Sequence, residues 1–142
     1  MIRFLPCQAW HIKLIEPQDA QTDEKVWAEQ IDDDVVANSL AMSCWVNDQC
    51  VAAAGIRPIW TGRAFAWSLL GKHSGPAMPA IARKLRFVLA TWPGNRVEMT
   101  VRESFAAGCR LALLLGFERE ARLPSFYPDG STAYLFTRLK HE

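Results

Sequence analysis

The chain has 142 residues, half of them hydrophobic, and a formal net charge of +1 at pH 7. This length fits one domain over residues 1–142 with a single core. The near balance of charge argues against a dedicated nucleic-acid binder, which usually carries a basic excess. No apolar run of about 18 residues predicts a membrane span, and the N-terminus lacks a signal-peptide pattern. We therefore expect a cytoplasmic globular protein.

The four cysteines are Cys7, Cys44, Cys50 and Cys109. They form no CxxC pair, and no histidine lies at metal-ligand spacing to one of them. We predict free, buried thiols, as in a reducing compartment, and no bound metal. Cys44 and Cys50 can face each other across a hairpin, so a disulfide between them is the disfavoured alternative.

The N-terminal segment predicts an edge strand followed by a helix. Residues 2–5 are a candidate for a short edge strand, and Pro6 can open a helix over Cys7–Ile15. The apolar spacing predicts that Trp10 and Leu14 point inward, together with the cysteine at the helix start.

The most polar stretch of the chain predicts a second helix. Thr22 precedes two acidic residues and an apolar pair, as an N-cap does. The acidic triplet Asp32–Asp34 resembles a set of metal ligands, but contiguous carboxylates point in different directions. We interpret the triplet as a capping cluster at a further helix N-terminus.

A change to period-two patterning predicts a meander of three strands. The strands are Ala41–Val46, Cys50–Ile59 and Ala64–Leu70. Tight turns at Asn47–Gln49 and Thr61–Arg63 connect them.

The stretch Phe65–Trp92 reads as a strand, a glycine-punctuated turn and an amphipathic helix. A helix N-terminus after such a turn offers unpaired N–H groups and a positive dipole end, where a pyrophosphate can bind. The alternative is an ordinary strand–turn–helix corner. The residues predicted on the inner helix face are Met78, Ile81, Ala82, Leu85, Val88, Leu89 and Trp92.

The C-terminal part predicts a strand over Arg96–Val101, a helix over Ser104–Leu115 that Gly116 ends, and strands over Phe117–Leu123 and Ser131–Leu139. A strand–helix–strand crossover in mid-chain demands a parallel pair, whereas the flanking meanders demand antiparallel ones. A mixed α/β sheet with helices on both faces follows.

This element order resembles that of the GNAT N-acetyltransferase superfamily. Leu115–Phe117 reads Leu-Gly-Phe, which resembles the end of the superfamily's second conserved helix, and residues 66–90 occupy the position of its acetyl-CoA-binding strand, loop and helix. More narrowly, the chain is similar to small GNAT-like proteins of tailed phages and prophages, including a T7-type protein needed for the internal virion core. The segments that carry this similarity are Glu16–Gln18, Ala66–Leu70, Ser74–Pro76, Phe105–Gly108 and Leu115–Phe117.

The resemblance implies the GNAT fold, with about seven mostly antiparallel strands and a central parallel pair formed by the fourth and fifth. It implies transfer of an acetyl group from acetyl-CoA to an amine of a small molecule or a protein, without a metal. The alternative is a catalytically inactive GNAT-fold phage protein that acts in virion assembly or binds a host protein. Proteins of this fold often pair through their last strands, so a homodimer is also implied.

By the same resemblance, the pantetheine pairs with the backbone of splayed strands, and the turn amides of Ser74, Gly75 and Ala77 take the pyrophosphate. Pro76 removes one N–H donor from this turn, and Ala112 stands where a catalytic tyrosine is often found. Phe105 stands where an asparagine is often found at the start of the second helix. The residues implied in cofactor binding are Leu69, Leu70, Lys72, His73, Ser74, Gly75, Ala77 and Phe105.

Acetyl transfer to an amine needs a base for the ammonium proton and an acid for the departing thiolate. Glu98 is the base candidate, because it is the carboxylate inside a predicted central strand and burial would raise its pKa. The alternative is an ion pair with Arg96 or Arg102. Tyr127 is the candidate acid, and its alternative is a surface aromatic beside Pro128.

Overall fold

The computed structural model describes residues 1–28 and 40–140. The strands in this part of the chain are β1 (Ile2–Pro6), β2 (Leu40–Val46), β3 (Gln49–Trp60), β4 (Arg63–Leu70), β5 (Arg96–Arg102), β6 (Glu118–Leu123) and β7 (Ala133–Leu139). The helices are α1 (Ala9–Lys13), α2 (Thr22–Ala28), α3 (Met78–Thr91) and α4 (Ala106–Leu114), with 3-10 turns at Asp19–Gln21 and Gly75–Ala77.

The strands form one mixed sheet in the order β1-β2-β3-β4-β5-β7-β6. The β1–β2, β2–β3, β5–β7 and β6–β7 pairs are antiparallel. The β4–β5 pair is parallel, and its register joins Arg63–Phe65 to Arg96–Glu98. The predicted mixed α/β fold with a central parallel pair is confirmed.

The chain divides into two compact units, and the division falls within β3, β4 and α3. Unit 1 comprises Met1–Arg57 and Trp67–Ile81, and unit 2 comprises Pro58–Ala66 and Ala82–Glu142. The organisation of residues 1–142 as one domain stays a prediction.

The first helix differs from the expectation. Pro6 ends β1, and α1 covers only Ala9–Lys13. Trp10 and Leu14 are 52% and 51% exposed, so their predicted inward orientation is wrong, although Cys7 is buried as expected. His11 and Ile12 point inward instead.

The buried imidazole of His11 is hydrogen-bonded, which offsets the free-energy cost of removing it from water. Its Nδ1 accepts the Gln8 backbone N–H at 3.1 Å and lies 3.0 Å from the Ser43 hydroxyl. Burial lowers the pKa of His11, which favours the neutral ring. The apolar part of the unit 1 core comprises Cys7, Ile12, Ile15, Trp45, Cys50, Ala53 and Leu69.

The second predicted helix is present as α2. Thr22 is its first residue rather than the residue before it, and the Thr22 hydroxyl donates to the Asp19 carbonyl at 3.2 Å. The predicted capping role of Asp32–Asp34 lies outside the described residues.

All four cysteines are free, as predicted, but only Cys7, Cys44 and Cys50 are buried. Cys109 is half-buried, so its predicted burial is wrong. In the β2–β3 register Cys44 lies opposite Ala52 and Cys50 lies opposite Trp45, so the two thiols are not cross-strand partners. Burial raises the pKa of Cys50 to about 12 and that of Cys7 to about 11. These thiols therefore stay protonated at neutral pH and are poor nucleophiles.

The predicted helix and strand patterns of unit 2 are largely confirmed. β5 alternates buried and half-buried residues, with Val97, Met99 and Val101 inside. α4 begins at Ala106, two residues later than predicted, and its end is followed by Gly116 at a φ of 91°. This positive φ is the left-handed conformation in which glycine ends a helix without strain.

Candidate functional site

The corner between β4 and α3 begins with a close approach of three backbone segments in unit 1. The Gly71 N–H donates to the Val51 carbonyl of β3 at 2.8 Å, and the Lys72 N–H donates to the Glu16 carbonyl at 2.8 Å. A Cβ at Gly71 would lie 2.6 Å from the Val51 oxygen and 3.0 Å from the Glu16 oxygen. Glycine is therefore required here, because two backbone carbonyls occupy the space of a side chain.

The turn after Gly71 uses several of its own polar groups. The Ser74 N–H and hydroxyl both donate to the Gly71 carbonyl, at 3.1 Å and 2.8 Å. The Ala77 N–H donates to the Ser74 carbonyl at 2.9 Å. Two of the three amides predicted to take a pyrophosphate are thus bonded within the turn. Gly75 lies exposed at its surface, as the most accessible of the three residues.

The two charged candidates of the turn have exposed side chains. His73 Nε2 lies 3.7 Å from a Glu16 carboxylate oxygen, and both side chains are more than half exposed. Lys72 is also exposed. Lys72, His73 and Gly75 are thus exposed residues of the same turn.

The side chain of Gln21 bonds to the backbone at the end of β4, an interaction that the sequence patterns do not predict. Leu69 and Leu70 are buried, and the Leu70 N–H donates to Gln21 Oε1 at 2.7 Å. Gln21 Nε2 donates to the Ser68 carbonyl at 3.0 Å, and Gln21 is 6% exposed. No local pattern distinguishes Gln21 from the nearby Gln18, since both lie in the same polar stretch.

In unit 2, Glu98 is held by two arginines. Its Oε2 accepts from Arg63 Nε at 2.6 Å and from Arg96 Nε at 2.8 Å. The Arg63 hydrogen bond is the largest cause that lowers the pKa of Glu98 to about 2, although burial opposes it. The expected raised pKa is therefore wrong. The alternative pairing with Arg96 is confirmed, whereas Arg102 pairs with Asp129 at 3.0 Å.

Replacing Glu98 with glutamine should lower the free energy of unfolding at pH 7 by about 2 kcal/mol, because two guanidinium groups lose their shared carboxylate. The partial exposure of both arginines keeps the loss from being larger. Since the folded pKa lies below the ordinary 4.5, the stabilisation is present above pH 4.5 and is lost as the pH falls towards about 2.

Urea denaturation of the wild type and Glu98→Gln at pH 7 and pH 3 measures both effects. Glu120→Gln is the matched control, because it removes a more exposed carboxylate from Arg96 alone and should cost less. Equal stability of Glu98→Gln and the wild type at pH 7 would contradict the ion-pair role.

The two aromatic candidates of unit 2 are both buried. Tyr127 is 9% exposed, with the Arg102 guanidinium 4.1 Å from its ring centroid and Phe126 in edge contact. The interpretation of Tyr127 as a surface aromatic is wrong, and its role as an acid stays a prediction. Phe105 is 8% exposed and packs where a Cβ on Gly108 would lie, 2.6 Å away. Its contact with a cofactor also stays a prediction.

Within residues 1–28 and 40–140, no group of three or more His, Cys, Asp or Glu side chains is arranged to hold a metal ion. No helix of this part of the chain has the length and apolar character needed to cross a membrane.

The chain is similar to known proteins in its structure, at low sequence identity. No protein-family model matches the chain, and no curated protein matches it in sequence. The ribosomal-protein-S18-alanine N-acetyltransferase from Escherichia coli superposes with a TM-score of 0.75 at 18% identity, over 100% of this chain and 96% of that chain. Ard1 from Thermoplasma volcanium superposes with a TM-score of 0.72 at 15% identity, over 99% of each chain.

A GNAT family acetyltransferase from Elizabethkingia anophelis, solved with acetyl-CoA bound, matches with a TM-score of 0.66 at 10% identity, over 97% of each chain. These matches extend over nearly the whole of every chain compared. The chain therefore has the fold of the GNAT-family acetyltransferases.

Proposed function

We propose that the protein is an N-acetyltransferase that moves an acetyl group from acetyl-CoA to an amine of a small molecule or a protein. The observation that carries the proposal is the GNAT fold, which a solved N-acetyltransferase matches over 100% of this chain, with the turn Gly71–Ala77 between β4 and α3. A similar protein binds acetyl-CoA in its solved structure.

We assign the Gly71–Ala77 corner a role in binding acetyl-CoA and no role in the chemical step. Exposed Gly75 offers an approach for the pyrophosphate near the positive end of the α3 dipole, and Lys72 adds a positive charge to the same turn. The start of α3 adds few donors of its own, because the Met78 N–H donates to the Gly75 carbonyl and Pro79 has no N–H. The Ser74 and Ala77 amides are already bonded within the turn. We therefore assign pyrophosphate binding to Lys72 and Gly75. Phe105 is buried, so we assign it to the support of α4 rather than to a polar contact with the cofactor.

In the reaction, the amine nitrogen forms a bond to the thioester carbonyl carbon, and the carbon–sulfur bond breaks. The amine gives up a proton, and the CoA thiolate takes one. Glu98, with a pKa of about 2 and two arginine partners, is too weak a base to remove an ammonium proton efficiently. We therefore assign Glu98 a structural role, with the amine proton passing to water, and retain Tyr127 as the acid that protonates the thiolate.

Calorimetry with acetyl-CoA and CoA, followed by an assay of thiol release with polyamine and peptide amines, tests the proposal. We expect a dissociation constant between about 1 μM and 1 mM, the usual range of enzyme substrate constants. Tyr127→Phe should lower turnover at least about tenfold with unchanged acetyl-CoA affinity, because the phenol acts only in the chemical step. The proposal fails if millimolar acetyl-CoA and CoA give no binding heat.

The second candidate is a GNAT-fold protein without catalysis that acts in virion assembly or binds a host protein. The commitment of Glu98 to two arginines favours it, because that ion pair removes the base candidate. The proposal of a phage or prophage origin rests on the sequence resemblance alone. Acetyl-CoA turnover that disappears in Tyr127→Phe would eliminate this candidate, whereas cofactor binding without turnover of any amine would favour it.

A further inference from the structure

The backbone of β4 has two edges, and one of them is occupied by a side chain. The Gly71 N–H points to Val51 of β3. Successive backbone N–H groups of an extended chain point to opposite edges, so the Leu70 N–H points away from β3. On that edge the register of β4 with β5 covers Arg63–Phe65. The Leu70 N–H and the Ser68 carbonyl, further along the same edge, bond to the carboxamide of Gln21.

The Gln21 carboxamide matches this edge as a neighbouring peptide group would. It presents one acceptor to Leu70 N–H at 2.7 Å and one donor to the Ser68 carbonyl at 3.0 Å. A ligand that pairs with the edge through an amide of its own needs the same two backbone groups. Gln21 and such a ligand therefore compete for one site.

The segment that carries Gln21 lies along the same edge. Pro17 forms an isolated antiparallel bridge with Gly71, and the Lys72 N–H donates to the Glu16 carbonyl. Gln21 ends a single 3-10 turn over Asp19–Gln21, in which its N–H donates to the Gln18 carbonyl at 2.8 Å. The carboxamide is thus delivered by a short turn outside the sheet, and its withdrawal breaks no strand-to-strand hydrogen bond.

We propose that Gln21 is an internal plug, whose carboxamide closes the hydrogen-bonding edge of β4 until the pantetheine amides of the acyl donor displace it. The inference rests on the proposed function, because it concerns access of acetyl-CoA to β4. Displacement exchanges two internal hydrogen bonds for two to the ligand. Only molecules in the open form can bind. The apparent affinity is therefore the affinity of the open form multiplied by the fraction of molecules that are open.

Acetyl-CoA titrations of the wild type, Gln21→Ala and Gln18→Ala by calorimetry test the plug. Gln21→Ala should bind about tenfold more tightly, since two hydrogen bonds no longer compete with the ligand. Gln18→Ala is the matched control, because it removes a neighbouring carboxamide that takes no part in these two bonds, and its affinity should equal that of the wild type. If Gln21→Ala is too unstable to measure, Gln21→Met keeps the length of the side chain and removes both bonds.

Amide hydrogen exchange at Leu70 provides a readout that does not depend on affinity. The plug requires slow exchange in the free wild type and faster exchange in free Gln21→Ala. Equal or weaker acetyl-CoA binding by Gln21→Ala would overturn the plug and leave the proposed function standing. Absence of binding by the wild type and every variant would overturn the proposed function and the plug with it.

Discussion

Replacing Gly75 with aspartate should weaken acetyl-CoA binding about 100-fold while the fold remains intact. Gly75 is exposed, and among the described residues no atom outside its own neighbours lies within 4 Å of the position of an added Cβ. A carboxylate near the start of α3 also suits the positive end of the helix dipole, so the free protein is not destabilised. The same carboxylate repels a pyrophosphate and takes its place at the helix end.

The magnitude follows from the charge alone. One unit of like charge at about 6 Å, with an effective dielectric constant of about 20, costs about 3 kcal/mol. That energy corresponds to a factor of about 100 in the dissociation constant. High salt should reduce the effect, because the corner is exposed and the interaction is screened.

Calorimetry on wild type, Gly75→Asp and Gly75→Ala measures the effect at low and high salt, with thermal denaturation to show that each variant folds. Gly75→Ala is the control, because it adds the same Cβ without a charge and should bind nearly as the wild type does. If Gly75→Asp and Gly75→Ala bind acetyl-CoA equally well, the pyrophosphate does not lie at this corner.

The fold could be predicted because its signals are local. Period-two patterning predicted the meander, and Gly116 predicted the end of α4. Helical spacing predicted the inner face of α3, on which Ile81 and Leu89 are buried. The order of these elements then restricted the sheet to one with a parallel pair in its middle. The structural matches agree with that order over the whole chain.

The interactions at the candidate site could not be predicted because their partners are distant in sequence. Gln21 bonds to Ser68 and Leu70, 47 and 49 residues away, and Arg63 reaches Glu98 across 35 residues. Strand pairing places Arg63 opposite Arg96, two residues before Glu98, and from there its side chain reaches the carboxylate, so the pKa of Glu98 follows from the register rather than from its own burial pattern. A carboxylate in a central strand is therefore ambiguous until its cross-strand neighbours are known.

Replacing Gly71 with alanine should lower the free energy of unfolding by about 3 kcal/mol. The added Cβ would lie 2.6 Å from the Val51 oxygen and 3.0 Å from the Glu16 oxygen, and both are backbone atoms that cannot rotate away. Relief of the clash has to separate β4 from β3 or from the Glu16 segment, at the expense of the hydrogen bonds from Gly71 and Lys72. The smaller entropy of an unfolded chain with alanine offsets less than about 1 kcal/mol of this loss.

Urea denaturation of Gly71→Ala and Gly75→Ala separates the clash from the general effect of replacing glycine. Both variants change a glycine of the same turn to alanine, but only Gly71 faces backbone carbonyls. We expect Gly75→Ala to match or slightly exceed the wild type in stability, so the difference between the variants measures the close approach of the three segments. Equal stability would mean that the Val51 and Glu16 segments both accommodate the added Cβ without loss. In that case the close approach of the three segments contributes little to the stability of this corner.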